Sequence, residues 1–335
     1  MSAIFASAEN STNVRFVSPE APDVPAGGPG SELALPRAPA PLPPRQPAPW
    51  LRAAFRLASA IAPPLAVRWA ERAFGSPPRM PSRSPAVMGA GHRFSLSSGG
   101  HQLTVWSWGD GPTALLLHGW AGRAEQLAPF VRPLLAAGFS VIAPDAPAHG
   151  DSGGRSSSVL AFAHAFEAVA ARVGPVHAFV GHSAGAAAGA LAMHRGVPVG
   201  RAVFLAPVAS LTDVVLRFAW QLNIAPWTAE AMRRRFESRL GVPMSALDVP
   251  ALARGARTPL LVFHDPEDRE VPWHDAAAIA QAWPGARLVD VPRAGHTRIL
   301  RDPRVVAEAV SFLSAARAGP ETLVRADGHR AGSGT

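Results

Sequence analysis

Val176-His177-Ala178-Phe179-Val180-Gly181-His182-Ser183-Ala184-Gly185 is an apolar stretch that runs into Gly-His-Ser-Ala-Gly and then into a series of small residues ending near His194. Val176 to Val180 has the make-up of a buried strand, and Ala184 to His194 that of a strong helix former. A strand and helix joined so abruptly strain the backbone at the middle of the turn and lift its side chain clear of the sheet. Glycines two positions to either side keep side chains out of the gap where strand and helix approach. A serine displayed in this way is set up as a nucleophile, so Ser183 is the first candidate. The pentapeptide alone carries little weight, because a chain with 30 glycines in 335 residues meets G-x-S-x-G by accident. Its surroundings decide the reading.

Those surroundings alternate. Arg93 to Leu96 and Gln102 to Trp108 read as a hairpin turning at Ser98-Gly99-Gly100. The chain then continues with strand Thr113 to Leu117, helix Glu125 to Ala137, strand Ser140 to Ala143, helix Ser157 to Val173, the opening strand and helix, and strand Arg201 to Leu205. From Pro207 to Arg257 the alternation gives way to consecutive helical stretches, Val214 to Leu222 and Thr228 to Leu240 among them, as expected of a lid over the sheet. It resumes with strand Pro259 to Phe263, helix Trp273 to Trp283, strand Arg287 to Val291 and helix Pro303 to Ala316. Strands separated by helices predict a mostly parallel central sheet flanked by helices, with active groups at the carboxyl ends of the strands.

Composition narrows the function classes. The chain has no cysteine, which removes disulfides, thiolate metal sites and a cysteine nucleophile. Its net charge of +8 rests on arginine alone, and the arginines are scattered. The densest run, Arg233-Arg234-Arg235 with Arg239, lies beside Glu230 and Glu237 in a helical stretch and reads as a solvated face, so no nucleic-acid partner is expected. No apolar run is long enough to span a bilayer, and Met1 to Asn10 lacks the pattern of a secretory signal. A cytoplasmic location is the expectation.

The ends differ in character from the middle. Residues 1–49, dense in proline and alanine, are expected to form a disordered tail, and 318–335 a second. Residues 50–90 are expected to be a helical segment and linker, with Leu51, Phe55, Leu57, Ile61, Leu65 and Trp69 as apolar positions and a break at Pro63-Pro64. Docking of 50–74 on the protein's own domain is preferred over contact with a membrane.

With these motifs in place, the chain resembles the α/β-hydrolase family over about Arg93 to Ala316, giving a domain at 91–317 with a lid at about 207–257. The family carries nucleophile, acid and histidine in that chain order, each on a loop after a strand. The resemblance implies that His296, in Arg293-Ala294-Gly295-His296-Thr297, is the general base for Ser183. The loop His264 to Pro272 offers Asp265, Glu267 and Asp268 as the acid, and the family pattern selects Asp268, just before Val271-Pro272. The oxyanion hole is expected from the backbone amides of Ala184 and of Trp120, the latter in a His118-Gly119-Trp120 sequence similar to the family's His-Gly-x motif.

Trp120, His182 and Phe218 are the expected substrate-binding residues, and Phe218, Trp220, Leu222, Ile224 and Trp227 give the lid an apolar inner face. The Asp145-to-Ser152 loop reads as a shaping element, with Asp145 and His149 lacking a third metal ligand. No cofactor or metal is expected. The implied activity is that of a serine hydrolase, carboxylesterase-like, acting on a small acyl ester or thioester. An acyltransferase on the same triad and a non-catalytic interaction protein are the alternatives, and the oligomeric state is left open.

Overall fold

The computed structural model describes residues 47–82 and 88–315. The expected tails therefore fall almost entirely outside it. An eight-stranded sheet is built from β1 (His92–Ser98), β2 (His101–Trp108), β3 (Thr113–Leu117), β4 (Ser140–Pro144), β5 (Val176–His182), β6 (Val199–Leu205), β7 (Leu260–His264) and β8 (Arg287–Asp290). The order is β1-β2-β4-β3-β5-β6-β7-β8. The first two strands form an antiparallel hairpin whose second strand pairs antiparallel with β4, while all pairings from β4 through β8 are parallel.

The sheet is buried on both faces, which explains why its central strands read as unbroken apolar runs. Successive side chains of a strand point to opposite faces. In β3, Leu115 and Leu117 accordingly join one core cluster while Ala114 and Leu116 join another. The first cluster is closed by α4 (Val159–Val173), α5 (Ala184–His194), α8 (Val249–Leu252) and α9 (Trp273–Ala282), through Phe162, Phe166, Leu191, Leu252 and Ile279. The second is closed by α3 (Ala128–Ala136) and α10 (Pro303–Ser314), through Phe130, Leu134, Val305, Ala309 and Leu313.

A third apolar cluster stands apart from the sheet. It joins α1 (Pro49–Ile61) and α2 (Pro63–Gly75) to α6 (Leu211–Gln221) and α7 (Pro226–Leu240), through Phe55, Val67, Ala70, Val215, Ala219 and Met232. Glu71 reinforces the contact by pairing with Arg235 and Arg239 of α7. Together these four helices form a cap. Beyond α2 the chain is tied to the main body where Ser157 donates its amide to the Gly75 carbonyl, Arg79 reaches the carbonyls of Ser152 and Gly154, and Arg123 reaches that of Met80.

Where element ends differ from those the sequence predicts, local chemistry accounts for it. Residues Ala124–Leu127 form a 3₁₀ turn, and the helix starts at Ala128 with Pro129 in its first turn, a position that needs no amide donor. β5 continues two residues past Val180 to His182, and the turn follows without a loop.

Candidate active site

The loops that leave the carboxyl ends of the strands are the strained part of the molecule. Among the described residues, six non-glycine residues have positive φ; five of them, Ala121, Ala148, Ser183, Ala206 and Arg293, lie on loops following β3, β4, β5, β6 and β8. Such conformations persist only where surrounding structure enforces them, and they concentrate at functional sites.

Ser183 is the sharpest case, at φ 50° and ψ −119° between β5 and α5. Its amide donates to the Leu205 carbonyl, pinning the turn to the end of β6. Gly185 lies flush against the end of β3, where a Cβ would collide with the carbonyl oxygens of Leu117 and His118. Gly181 is equally closed in, because a Cβ there would approach the Cα of Ala186 to 2.7 Å. Both glycines are therefore demanded by helix and strand meeting at contact distance.

The His118-Gly119-Trp120 loop passes directly beside the serine. A Cβ on Gly119 would stand 3.0 Å from that of Ser183 and 2.9 Å from Nδ1 of His182. Among the described residues the Trp120 amide has no acceptor, and that of Ala184, first in its helix, has none within the helix. The loop is held rigidly: Nε2 of His118 accepts from the Ala146 amide at 3.0 Å, so its Nδ1–H donates to the Gly119 carbonyl at 2.7 Å. Burial pushes the His118 pKa down to about 4 and keeps the ring neutral.

The neighbouring loop is organised around Asp145, whose carboxylate accepts the amides of Ala124 and Asp151 at 2.7 and 2.9 Å. Burial pushes its pKa up against those two hydrogen bonds. Ser152 fastens the loop from the other side, donating to the Asp145 carbonyl and accepting from the Thr104 amide. His149 donates from Nδ1 to the Pro147 carbonyl and places its ring edge-on to Trp120, with centroids 5.2 Å apart.

His296 lies on the loop after β8. Its Nδ1–H donates to Oδ2 of Asp268 at 2.8 Å, which leaves Nε2 unprotonated in the neutral ring. Oδ1 of Asp268 accepts the amides of Glu270 and Val271 at 2.7 and 3.1 Å. Burial alone would raise the Asp268 pKa. The hydrogen bond from His296, with those two amides, outweighs it and holds the carboxyl below its ordinary range. The strand ends are joined where Val291 donates its amide to the His264 carbonyl, bringing the two loops together.

Asp265 has a different task. It accepts the amides of Arg293 and Gly295, and of Glu267 in its own turn, so it clamps the loop that carries His296. Its pattern in the sequence, an Asp followed by Pro, is that of a loop-shaping residue, but which amides it captures depends on the β7–β8 pairing.

His182 corrects one expectation. Rather than facing the substrate side, its ring is buried and Nε2–H donates to the backbone carbonyl of His296 at 3.0 Å, with ring centroids 4.8 Å apart. Burial, and then the nearby His296, push its pKa down to about 3. It thus links the serine turn to the histidine loop. Phe218, also expected to bind substrate, packs edge-on to Phe74, at 5.1 Å, in the cap. Trp120 is partly exposed, stacked with Phe74 at 6.5 Å and Phe162 at 6.4 Å. Phe74 of α2 therefore belongs to the rim of this site, a contact that no motif in the sequence signals.

Comparison with known proteins agrees with this architecture. A model of the Alpha/beta hydrolase family matches residues 114–309. Among solved structures, the chain is similar to the esterase EaEST from Exiguobacterium antarcticum, at TM-score 0.53 and 14% identity, covering 67% of this chain and 100% of that one. It is similar also to the esterase Pf2001 from Pyrococcus furiosus, at TM-score 0.54 and 19% identity, covering 71% and 98%. A third, Est816, described as an N-acyl homoserine lactone degrading enzyme, gives TM-score 0.53 and 18% identity, covering 65% and 99%. No curated protein sequence matches significantly.

Proposed function

This chain belongs to the alpha/beta hydrolase family, and from that premise we propose that it is a serine hydrolase cleaving a carboxylic ester or thioester through an acyl-enzyme intermediate. The observation that carries the reading is the 2.8 Å hydrogen bond from His296 Nδ1 to Asp268, which leaves Nε2 as the basic nitrogen. Ser183 supplies the nucleophile from its strained turn, and its proton passes to Nε2 as Oγ attacks the substrate carbonyl. Asp268 fixes the imidazole orientation and stabilises the imidazolium without taking the proton. Negative charge developing on the carbonyl oxygen is met by the amides of Trp120 and Ala184. The imidazolium protonates the leaving alcohol or thiol, and water, activated by the same nitrogen, releases the acid.

The acyl side of the substrate is apolar in this reading. Trp120, stacked between Phe74 and Phe162, supplies a flat hydrophobic wall beside the serine loop, and esterases among the similar structures support an ester over an amide. The test pairs p-nitrophenyl esters of short and medium chain length with a fluorophosphonate probe, on wild type and Ser183→Ala. Turnover and covalent labelling that both vanish in the variant, with its melting temperature preserved, are the expected result. Equal rates in the two proteins would overturn the assignment.

A further inference from the structure

We propose that the α1–α2 hairpin docks on an anionic lipid bilayer. The hairpin already has one buried face: Phe55 and Ser59 of α1 and Ala66, Val67 and Ala70 of α2 turn toward the cap. On the opposite face of α1 stand Trp50, Leu57 and Ile61, spaced by seven and four residues, and on α2 Leu65 and Trp69, spaced by four. All five are exposed, Trp50 to 70% and Ile61 to 73%, while Trp69, at 43%, also stacks on Phe55 at 4.6 Å. Side chains of this kind gain nothing from facing water, and five large ones grouped on one hairpin exceed the scattered apolar residues any surface carries.

Charge identifies the occupant. Within Pro49–Gly75 there are four arginines against a single glutamate, and that glutamate, Glu71, is taken by Arg235 and Arg239. Arg56, Arg68 and Arg72 are exposed and form no ion pair among the described residues. On α2, Arg68 and Arg72 fall on the same side as Leu65 and Trp69. Tryptophan and aliphatic side chains immersed at the acyl boundary, with guanidinium groups at the level of anionic headgroups, are the make-up of helices that lie in a membrane interface. The surface is made of the outward faces of two helices, which suits a bilayer better than it suits an inserted peptide. Docking on the protein's own cap and docking on lipid are compatible here, because opposite faces of the hairpin do each.

The proposal is independent of the catalytic assignment. Full-length protein is floated with vesicles of phosphatidylcholine alone or with a third phosphatidylglycerol, at low and high salt. Two variants accompany it, Leu57→Glu/Ile61→Glu and Arg56→Gln/Arg68→Gln/Arg72→Gln, with melting temperature as the control for folding. Partition into phosphatidylglycerol vesicles that weakens with salt and falls about tenfold or more in each variant is expected. No binding, or binding equally strong to neutral vesicles and indifferent to the arginine substitutions, overturns the proposal. So does a dimer, seen by sedimentation and abolished by the glutamates, in protein that does not bind vesicles; that face would then join two copies of this chain.

Discussion

The loops at the carboxyl ends of the strands and the helical cap above them are held together by different forces. In the loops directional bonds do the holding: Asp145, Asp265 and Asp268 each gather backbone amides, and His118, His182 and His296 each donate to an oxygen. The cap rests on an apolar cluster and a few surface ion pairs, such as those of Glu71. Directional bonds fix positions to a fraction of an ångström, whereas apolar contact fixes proximity and leaves angle and slide free. The difference matches the proposed function: acyl transfer needs the first kind of order, and a cap that admits substrate is better served by the second.

Substitutions can break this contrast at graded depths. Asp268→Asn should cost the most, lowering kcat by about 10⁴ because the amide favours the wrong imidazole tautomer, while thermal stability changes little. Steady-state ester hydrolysis beside calorimetry separates the two effects. Asp265→Asn keeps the shape of the clamp but weakens its grip on the Arg293 and Gly295 amides, so kcat should fall by about 10- to 100-fold with KM nearly constant. A larger rise in KM than fall in kcat would place Asp265 outside the catalytic framework. In the cap, Phe74→Ala should destabilise by about 1–3 kcal/mol and alter KM for apolar esters several-fold, with kcat on the smallest ester preserved. If it abolished kcat on all esters alike, the cap would be as tightly coupled to the chemistry as the loops.

Acid tests the same loops without a substitution. His118 and His149, with pKa near 4, and His182, near 3, are protonated in the unfolded chain well before they are in the folded one. For each, the unfolded state binds the extra proton between about pH 6.5 and the folded value, so stability is full above pH 6.5 and falls as pH drops through that window. The slope is on the order of 1 kcal/mol per pH unit for each histidine. Melting temperatures between pH 7 and 4 should therefore fall steeply, and a variant lacking His149 should fall less. A flat profile would mean that these rings charge without unfolding the loops.

The same contrast divides what is legible in the amino-acid sequence from what is not. The sheet and the serine turn are legible because their signals are local: apolar runs of strand length, glycine two residues either side of Ser183, a histidine on the loop after the last strand. Helix Ala184 to His194 can be placed to the residue. Features made by distant partners carry no such signal. Nothing around His182 says that its ring will be turned to His296, 114 residues later. Phe74 reads as one more apolar position on an amphipathic helix, and only the docking of α2 against α7 brings it to Trp120. The same helix pattern serves many docking partners equally well, so amphipathicity announces a buried face without saying what buries it.

Ser183 at φ 50° has a bearing on how such a protein changes over generations. A non-glycine residue held there costs the folded state about 1–3 kcal/mol, a large share of the margin by which domains remain folded. Glycine at this position would relieve that cost and remove the hydroxyl in one step. In a lineage with no use for that hydroxyl, folding alone would favour glycine here.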